Sequence, residues 1–231
     1  MIYLENRFFL LTLTFSIFFF AKLLQKKTGL VILNPILLTI AALIIYLKVF
    51  HISFETYNEG GYLIEFWLKP AVVALGVPLY LQLEAIKKQL LPIVLSQLAG
   101  CIVGVVSVVL IAKVMGASQD VILSLAPKSV TTPIAMEVTK TLGGIPSLTA
   151  AVVVLVGLFG AIVGFKILRM LKIYSPIAQG LSMGTAAHAV GTSTAMDISR
   201  NYGAYASLGL TINGIFTALF TPTILRLVGL L

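Results

Sequence analysis

Val130-Thr131-Thr132-Pro133-Ile134-Ala135-Met136-Glu137-Val138-Thr139-Lys140 returns sixty residues later as Val190-Gly191-Thr192-Ser193-Thr194-Ala195-Met196-Asp197-Ile198-Ser199-Arg200. Glu over Asp, Val over Ile, Thr over Ser and Lys over Arg each keep charge or shape. The same ungapped shift lays Leu90–Leu148 over Ala150–Leu208. It sets Gln97-Leu98-Ala99-Gly100-Cys101-Ile102-Val103-Gly104 on Gly157-Leu158-Phe159-Gly160-Ala161-Ile162-Val163-Gly164, and Gly143, Ser147 and Leu148 on Gly203, Ser207 and Leu208. A duplicated unit inside a very apolar chain is the mark of a transporter core, in which two pseudo-symmetric halves enclose a site near the bilayer midplane.

The background is indeed apolar: 59% of the 231 residues are hydrophobic, 10% are charged, and mean hydropathy is +1.06. A soluble domain of that length carries far more charge, so the chain is read as an all-α polytopic membrane protein. No cleavable signal is expected, because Phe8–Leu24 follows Glu5 and Arg7 rather than a basic segment; it is read as a retained first span. The single Cys101 excludes an internal disulfide. A net charge of +8 does not point to nucleic acid, since the basic residues punctuate the spans and set topology.

A crossing takes about 20 apolar residues for roughly 30 Å of hydrocarbon. Stretches of that kind lie at 4–24, 30–50, 63–83, 90–113, 148–171 and 204–228, the third interrupted by Lys69-Pro70. Two duplicated stretches remain, 119–146 and 176–202, too polar and too rich in Gly, Thr and Pro to face lipid. Irregular backbone at that depth needs protein or water around it. If both are re-entrant hairpins, then Lys22, Lys26, Lys27, Lys87, Lys88, Lys166, Arg169, Lys172 and Arg200 all face the cytoplasm, with Glu55 and Glu59 outside. If each crosses fully, Lys166, Arg169 and Lys172 fall outside, against the positive-inside rule. The expected architecture is therefore about six transmembrane helices plus two opposed re-entrant hairpins in an inverted repeat, elevator-like, with both termini outside. Its expected divisions are 1–89 (scaffold and oligomerisation), 90–148 and 149–208 (the repeat units), and 209–231 (the final span).

Chemistry concentrates in Ala126-Pro127-Lys128-Ser129-Val130-Thr131-Thr132-Pro133 and its mate Ala186-Ala187-His188-Ala189-Val190-Gly191-Thr192-Ser193. Each hydroxyl-rich stretch precedes a helix-compatible run, and a half-helix N-terminus favours an anion. Lys128 and His188, equivalent by the repeat, add cationic or proton-carrying groups, with a satisfied structural histidine an equal alternative for His188, so a small carboxylate is the expected ligand. Substrate contacts are assigned to Lys128, Ser129, Thr131, Thr132, His188, Thr192, Ser193 and Asn213. For the hydroxyls, packing against neighbouring helices is an equal alternative. Lys128 has the stronger claim as an ionisable group within a membrane segment, with snorkelling as its alternative. Asn213 could equally serve as interhelical glue. Glu137 with Lys140 and Asp197 with Arg200 stand three apart and are read as hairpin ion pairs or proton-coupling groups. No metal-ligand spacing, phosphate loop or catalytic triad appears, so neither a cofactor nor enzymatic activity is expected.

At these motifs the chain resembles the LrgB/CidB family. The carrying segments are Asn58-Glu59-Gly60-Gly61, Ala71-Val72-Val73-Ala74-Leu75-Gly76-Val77-Pro78-Leu79-Tyr80, Leu125 through Glu137, Gly143 through Ala150, and Gly184-Thr185-Ala186-Ala187-His188-Ala189-Val190-Gly191-Thr192. The resemblance implies a bacterial inner-membrane protein, first described as holin/antiholin-like and modulating murein hydrolase export and autolysis. The family is also similar to the plastidial glycolate/glycerate translocator, and bacterial members are linked to pyruvate uptake. It implies a smaller LrgA/CidA-like membrane partner. Transporter analogy adds a homodimer, and the lipid bilayer is the remaining partner. The expected function is secondary transport of small monocarboxylates of the pyruvate, glycolate/glycerate and lactate class. The alternative is a holin-like modulator of autolysis.

Overall fold

The computed structural model describes residues 6–29, 33–74, 77, 80 and 83–231. Part of the Ala71–Tyr80 motif and the end of the expected third span lie outside them. All regular structure among the described residues is helical, and the chain divides into two compact units, Met1–Ala74 and Leu75–Leu231.

The first unit holds α1 (Arg7–Thr28), α2 (Pro35–Val49) and α3 (Phe54–Ala74). Asn6 starts α1 by accepting the Phe8 and Phe9 N–H groups, and Gly29 ends it in the left-handed region at φ 67°. Asn34 and Pro35 start α2 in the same manner. That cap confines the expected 30–50 span to an apolar helix of 15 residues. Ser53 Oγ accepts the Thr56 N–H at 3.1 Å, so α3 begins well before the expected residue 63 and runs on through Pro70. α3 meets α1 at Gly60, where a side chain would stand 2.6 Å from the Arg7 carbonyl oxygen, and at Thr14–Tyr57, whose hydroxyls lie 3.1 Å apart. Phe8, Phe15, Phe19, Phe20 and Trp67 all remain exposed, as lipid-solvated helices require.

The second unit comprises α4 (Leu83–Lys88), α5 (Leu90–Val114), α6 (Gln119–Leu125), α7 (Thr132–Leu142), α8 (Pro146–Met170), α9 (Pro176–Ile198) and α10 (Arg200–Leu227). Helices α1, α5, α8 and α10 are long and apolar enough to cross a bilayer. The chain is a multi-pass membrane protein.

The polar repeats form two broken-helix hairpins. In the first, Gln119 donates to the Leu230 carbonyl at 2.8 Å, which puts the start of α6 beside the C-terminal end of the chain. The turn at 126–131 descends to the middle of α5, where Gly104 faces Ser129. α7 then returns, its Val138 and Leu142 joining Val109, Ala112, Ile224 and Leu225 in one apolar cluster. A buried hydroxyl knot closes the base. Ser124 Oγ accepts the Ile145 N–H at 2.7 Å, and Thr149 Oγ1 donates to the Ser124 carbonyl at 2.9 Å. Thr139 and Thr149 hydroxyls lie 2.8 Å apart.

α9 is interrupted at Ala187 (φ −124°, ψ 16°) and His188 (φ 42°, ψ −133°). Eight residues of unbroken helix would separate Met183 from Gly191 by about 12 Å. Instead a Cβ on Gly191 would stand 2.5 Å from the Met183 carbonyl oxygen. Ala195 shares a cluster with Met183, Phe165 and Ala206, so the second arm folds back along the first. Gly180, Gly184 and Gly209 let this hairpin lie directly on α10. The bases of the two hairpins lie at opposite ends of α8, the first near Pro146 and the second near Phe165.

Candidate functional site

The two hairpins meet at Lys128. It sits in the turn between α6 and α7, half-buried, and its Nζ donates to Ser129 Oγ at 3.1 Å. On one side lies a cavity of about 590 Å³ whose polar wall is Ser96, Gln97, Ser129, Ser182 and Thr185. On the other is an apolar groove of about 540 Å³ bounded by Leu155, Phe159, Val163 and Met183. Lys128, Ser182 and Ala186 border both.

The polar wall is braced. Gln97, buried in α5, accepts from Thr185 Oγ1 at 2.5 Å, and the same hydroxyl lies 2.7 Å from the Leu181 carbonyl. Asn213 Nδ2 donates to the Thr185 carbonyl at 3.1 Å, tying α10 to the first arm of α9. Gly100 packs so closely on Thr185 that a Cβ there would stand 2.9 Å from its methyl group. Among the described residues no carboxylate lines either cavity, and Lys128 is the one basic side chain on their walls. In a low-dielectric interior an ammonium group surrounded by hydroxyls and amides attracts an anion strongly.

Of the residues singled out from sequence, Lys128 and Ser129 line the large cavity, and Asn213 braces it through Thr185. Thr131 is the N-cap of α7, buried, with its Oγ1 unpartnered; Thr132 opens that helix, half-buried. His188 turns the other way: its Nε2 donates to the Val153 carbonyl at 2.8 Å, which pins the break in α9 to α8. Thr192 Oγ1 donates to the His188 carbonyl at 2.8 Å, bonding within its own turn, and Ser193 is exposed. Glu137, Lys140, Asp197 and Arg200 are exposed, and among the described residues no ion pair joins them. Among the described residues no cluster of His, Cys, Asp and Glu could hold a metal.

Gln97, Ser182 and Thr185 escaped sequence reasoning. Gln97 had a signal, being a lone amide inside an apolar span. Thr185 lies one helical turn before His188, in the half of the repeat block that carries no charge.

Comparison with known proteins agrees along nearly the whole chain. The LrgB-like family matches residues 14–227. Protein YxaC of Bacillus subtilis (strain 168) is 38% identical over 204 residues, covering 88% of this chain and 89% of its own. YwbG of the same organism is 37% identical over 93% of this chain and 96% of its own. "Holin-like protein CidB" of Staphylococcus aureus (strain N315) is 36% identical over 218 residues, 94% of this chain and 95% of its own. No solved structure matches. With this coverage and identity, the chain belongs to the LrgB-like family.

Proposed function

We propose that this protein is a secondary carrier of small monocarboxylates, the pyruvate, glycolate, glycerate and lactate class, in the bacterial inner membrane. One observation carries the reading: residues of both duplicated hairpins line a cavity with one lysine and no carboxylate among its described lining residues. Lys128 takes the carboxylate, and Ser129 and Ser182 offer hydroxyls to its second oxygen or to a 2-oxo or 2-hydroxy group. The unwound segment that carries Lys128 is the kind of element through which transporters address a midplane ligand. In this reading the two hairpins re-enter the bilayer, about six helices cross it, and both termini lie outside. The first unit serves as scaffold and dimer contact, and the hairpin unit is the part that moves. His188 acts as a positioning residue that holds the α9 break, rather than as a proton carrier.

The name of the staphylococcal relative favours a second reading, a holin-like protein; the resemblance to the LrgB/CidB family adds modulation of murein hydrolase export and autolysis beside a smaller LrgA/CidA-like partner. The comparisons speak for that description and the cavity for a carrier; acid transport could alter autolysis indirectly, so one protein can answer to both. Proteoliposomes holding the purified chain separate them. A carrier takes up labelled pyruvate or glycolate saturably and retains entrapped dye, and Lys128→Ala abolishes uptake. Uptake only after adding the small partner makes the two chains one machine. Dye leakage without saturation refutes the carrier and leaves the holin-like reading.

A further inference from the structure

We infer that a second, much smaller cavity behind Ser129 is a sodium site coupled to the anion at Lys128; the coupling, though not the site, rests on the carrier reading. The cavity lies between the first hairpin turn, α5 and α10, and measures about 10 Å³, with Ala126, Ser129, Asn213 and Thr217 on its wall. A space of that order holds one water-sized particle. Asn213 is only 1% exposed, and its Oδ1 has no hydrogen-bond partner. Its orientation is fixed, because Nδ2 donates to the Thr185 carbonyl at 3.1 Å and a flipped amide would set two oxygens against each other.

The rest of the wall also offers oxygen. Thr217 Oγ1 donates its proton to Cys101 Sγ at 3.6 Å, leaving its oxygen as an acceptor. Ala126 ends α6, and among the described residues its carbonyl receives no backbone N–H. Neutral oxygens without a carboxylate suit a hard monovalent ion; calcium draws on carboxylates, and magnesium keeps its waters. Unwound backbone and half-helix C-terminal ends are the elements that hold sodium in broken-helix transporters.

Ser129 borders both cavities and accepts from Lys128 Nζ. Sodium beside Ser129 and an ammonium beyond it repel each other until an anion lies against Lys128. Each ligand therefore raises the affinity for the other by the same factor.

Cys101 is the only cysteine and is buried, so a thiol-reactive dye reports unfolding of the full-length protein in detergent. Without any organic acid, sodium chloride replacing choline chloride at constant ionic strength is expected to raise the melting midpoint saturably. Asn213→Ala and the near-isosteric Thr217→Val each move half-saturation to at least about tenfold higher sodium. Superimposable curves in sodium and choline would overturn the site and leave a water there. Pyruvate then binds at least about fivefold more tightly in sodium than in choline. Equal affinities would overturn the coupling. A sodium step without pyruvate binding in either medium would keep the site and refute the carrier reading.

Discussion

Gly180 and Gly104 sit inside helices of the second unit, and the same exchange to alanine is expected to act with opposite sign at the two. In a helix interior, alanine is favoured over glycine by about 1 kcal/mol. At Gly104 nothing opposes that gain, since the new Cβ would meet only Ser129 Oγ, at 3.8 Å. At Gly180 the Cβ would stand 2.7 Å from Tyr205 Cβ and 2.8 Å from the Tyr202 carbonyl oxygen, short of an ordinary 3.4 Å contact by about 0.6 Å. The second obstacle is backbone, so relief requires α9 and α10 to part. Overpacking of this kind costs about 1–3 kcal/mol, and a backbone obstacle puts Gly180→Ala at the upper end, a net loss of about 2 kcal/mol. Gly104→Ala gains about 1 kcal/mol. At about 2–4 °C per kcal/mol for a chain of this size, the midpoints fall by about 4–8 °C and rise by about 2–4 °C respectively. The Cys101 dye assay in detergent reads both. Two stabilised variants would refute the close packing of the second hairpin on α10.

Ser124→Ala leaves the Ile145 N–H without its acceptor and should cost about 1–3 kcal/mol, seen as a lower melting midpoint and faster hydrogen exchange at the base of the first hairpin. At His188 the backbone is in a region that glycine tolerates and other residues resist, a strain of about 1–3 kcal/mol. His188→Gly relieves that strain while losing the bond to Val153, and His188→Ala only loses the bond, so the glycine variant should melt higher. The reverse order would remove His188 from its role as the break. Lys128→Gln keeps a hydrogen-bond donor without the charge and should weaken carboxylate binding by about 1.5–3 kcal/mol, roughly 10- to 150-fold in Kd by titration calorimetry. An unchanged Kd would exclude Lys128 from the site.

The duplication made much of this legible. Gly100, Gly104, Gly160 and Gly164, aligned by the repeat, are where Thr185, Ser129, Ala187 and Met183 approach α5 and α8. That a helix begins just after Lys128 was legible in the hydroxyl-rich stretch that precedes a helix-compatible run. The direction of His188 did not follow. The repeat equates it with Lys128 in sequence, but a positive φ at the break turns the imidazole onto α8, and dihedral angles at a kink leave no periodic trace. Thr185 was hidden for a related reason. Its hydrogen bond to Gln97 joins residues 88 apart, and single hydroxyls in apolar helices usually bond their own turn. The ion pairs suggested by three-residue spacing are not formed among the described residues, because spacing puts two charges on one face without making them meet. Helix starts in the first unit moved for local reasons, at the Asn34 and Ser53 caps, which outweigh hydropathy in setting an end.

Counterflow tests the central claim most directly. Proteoliposomes loaded with unlabelled pyruvate and diluted into a trace of labelled pyruvate will accumulate label transiently above its external concentration if a single site alternates between the two faces. The account predicts that overshoot for the wild type, its loss with Lys128→Ala, and intact vesicles throughout. Label that only equilibrates, at a rate unaffected by internal pyruvate and by Lys128→Ala, would contradict it and leave a pore.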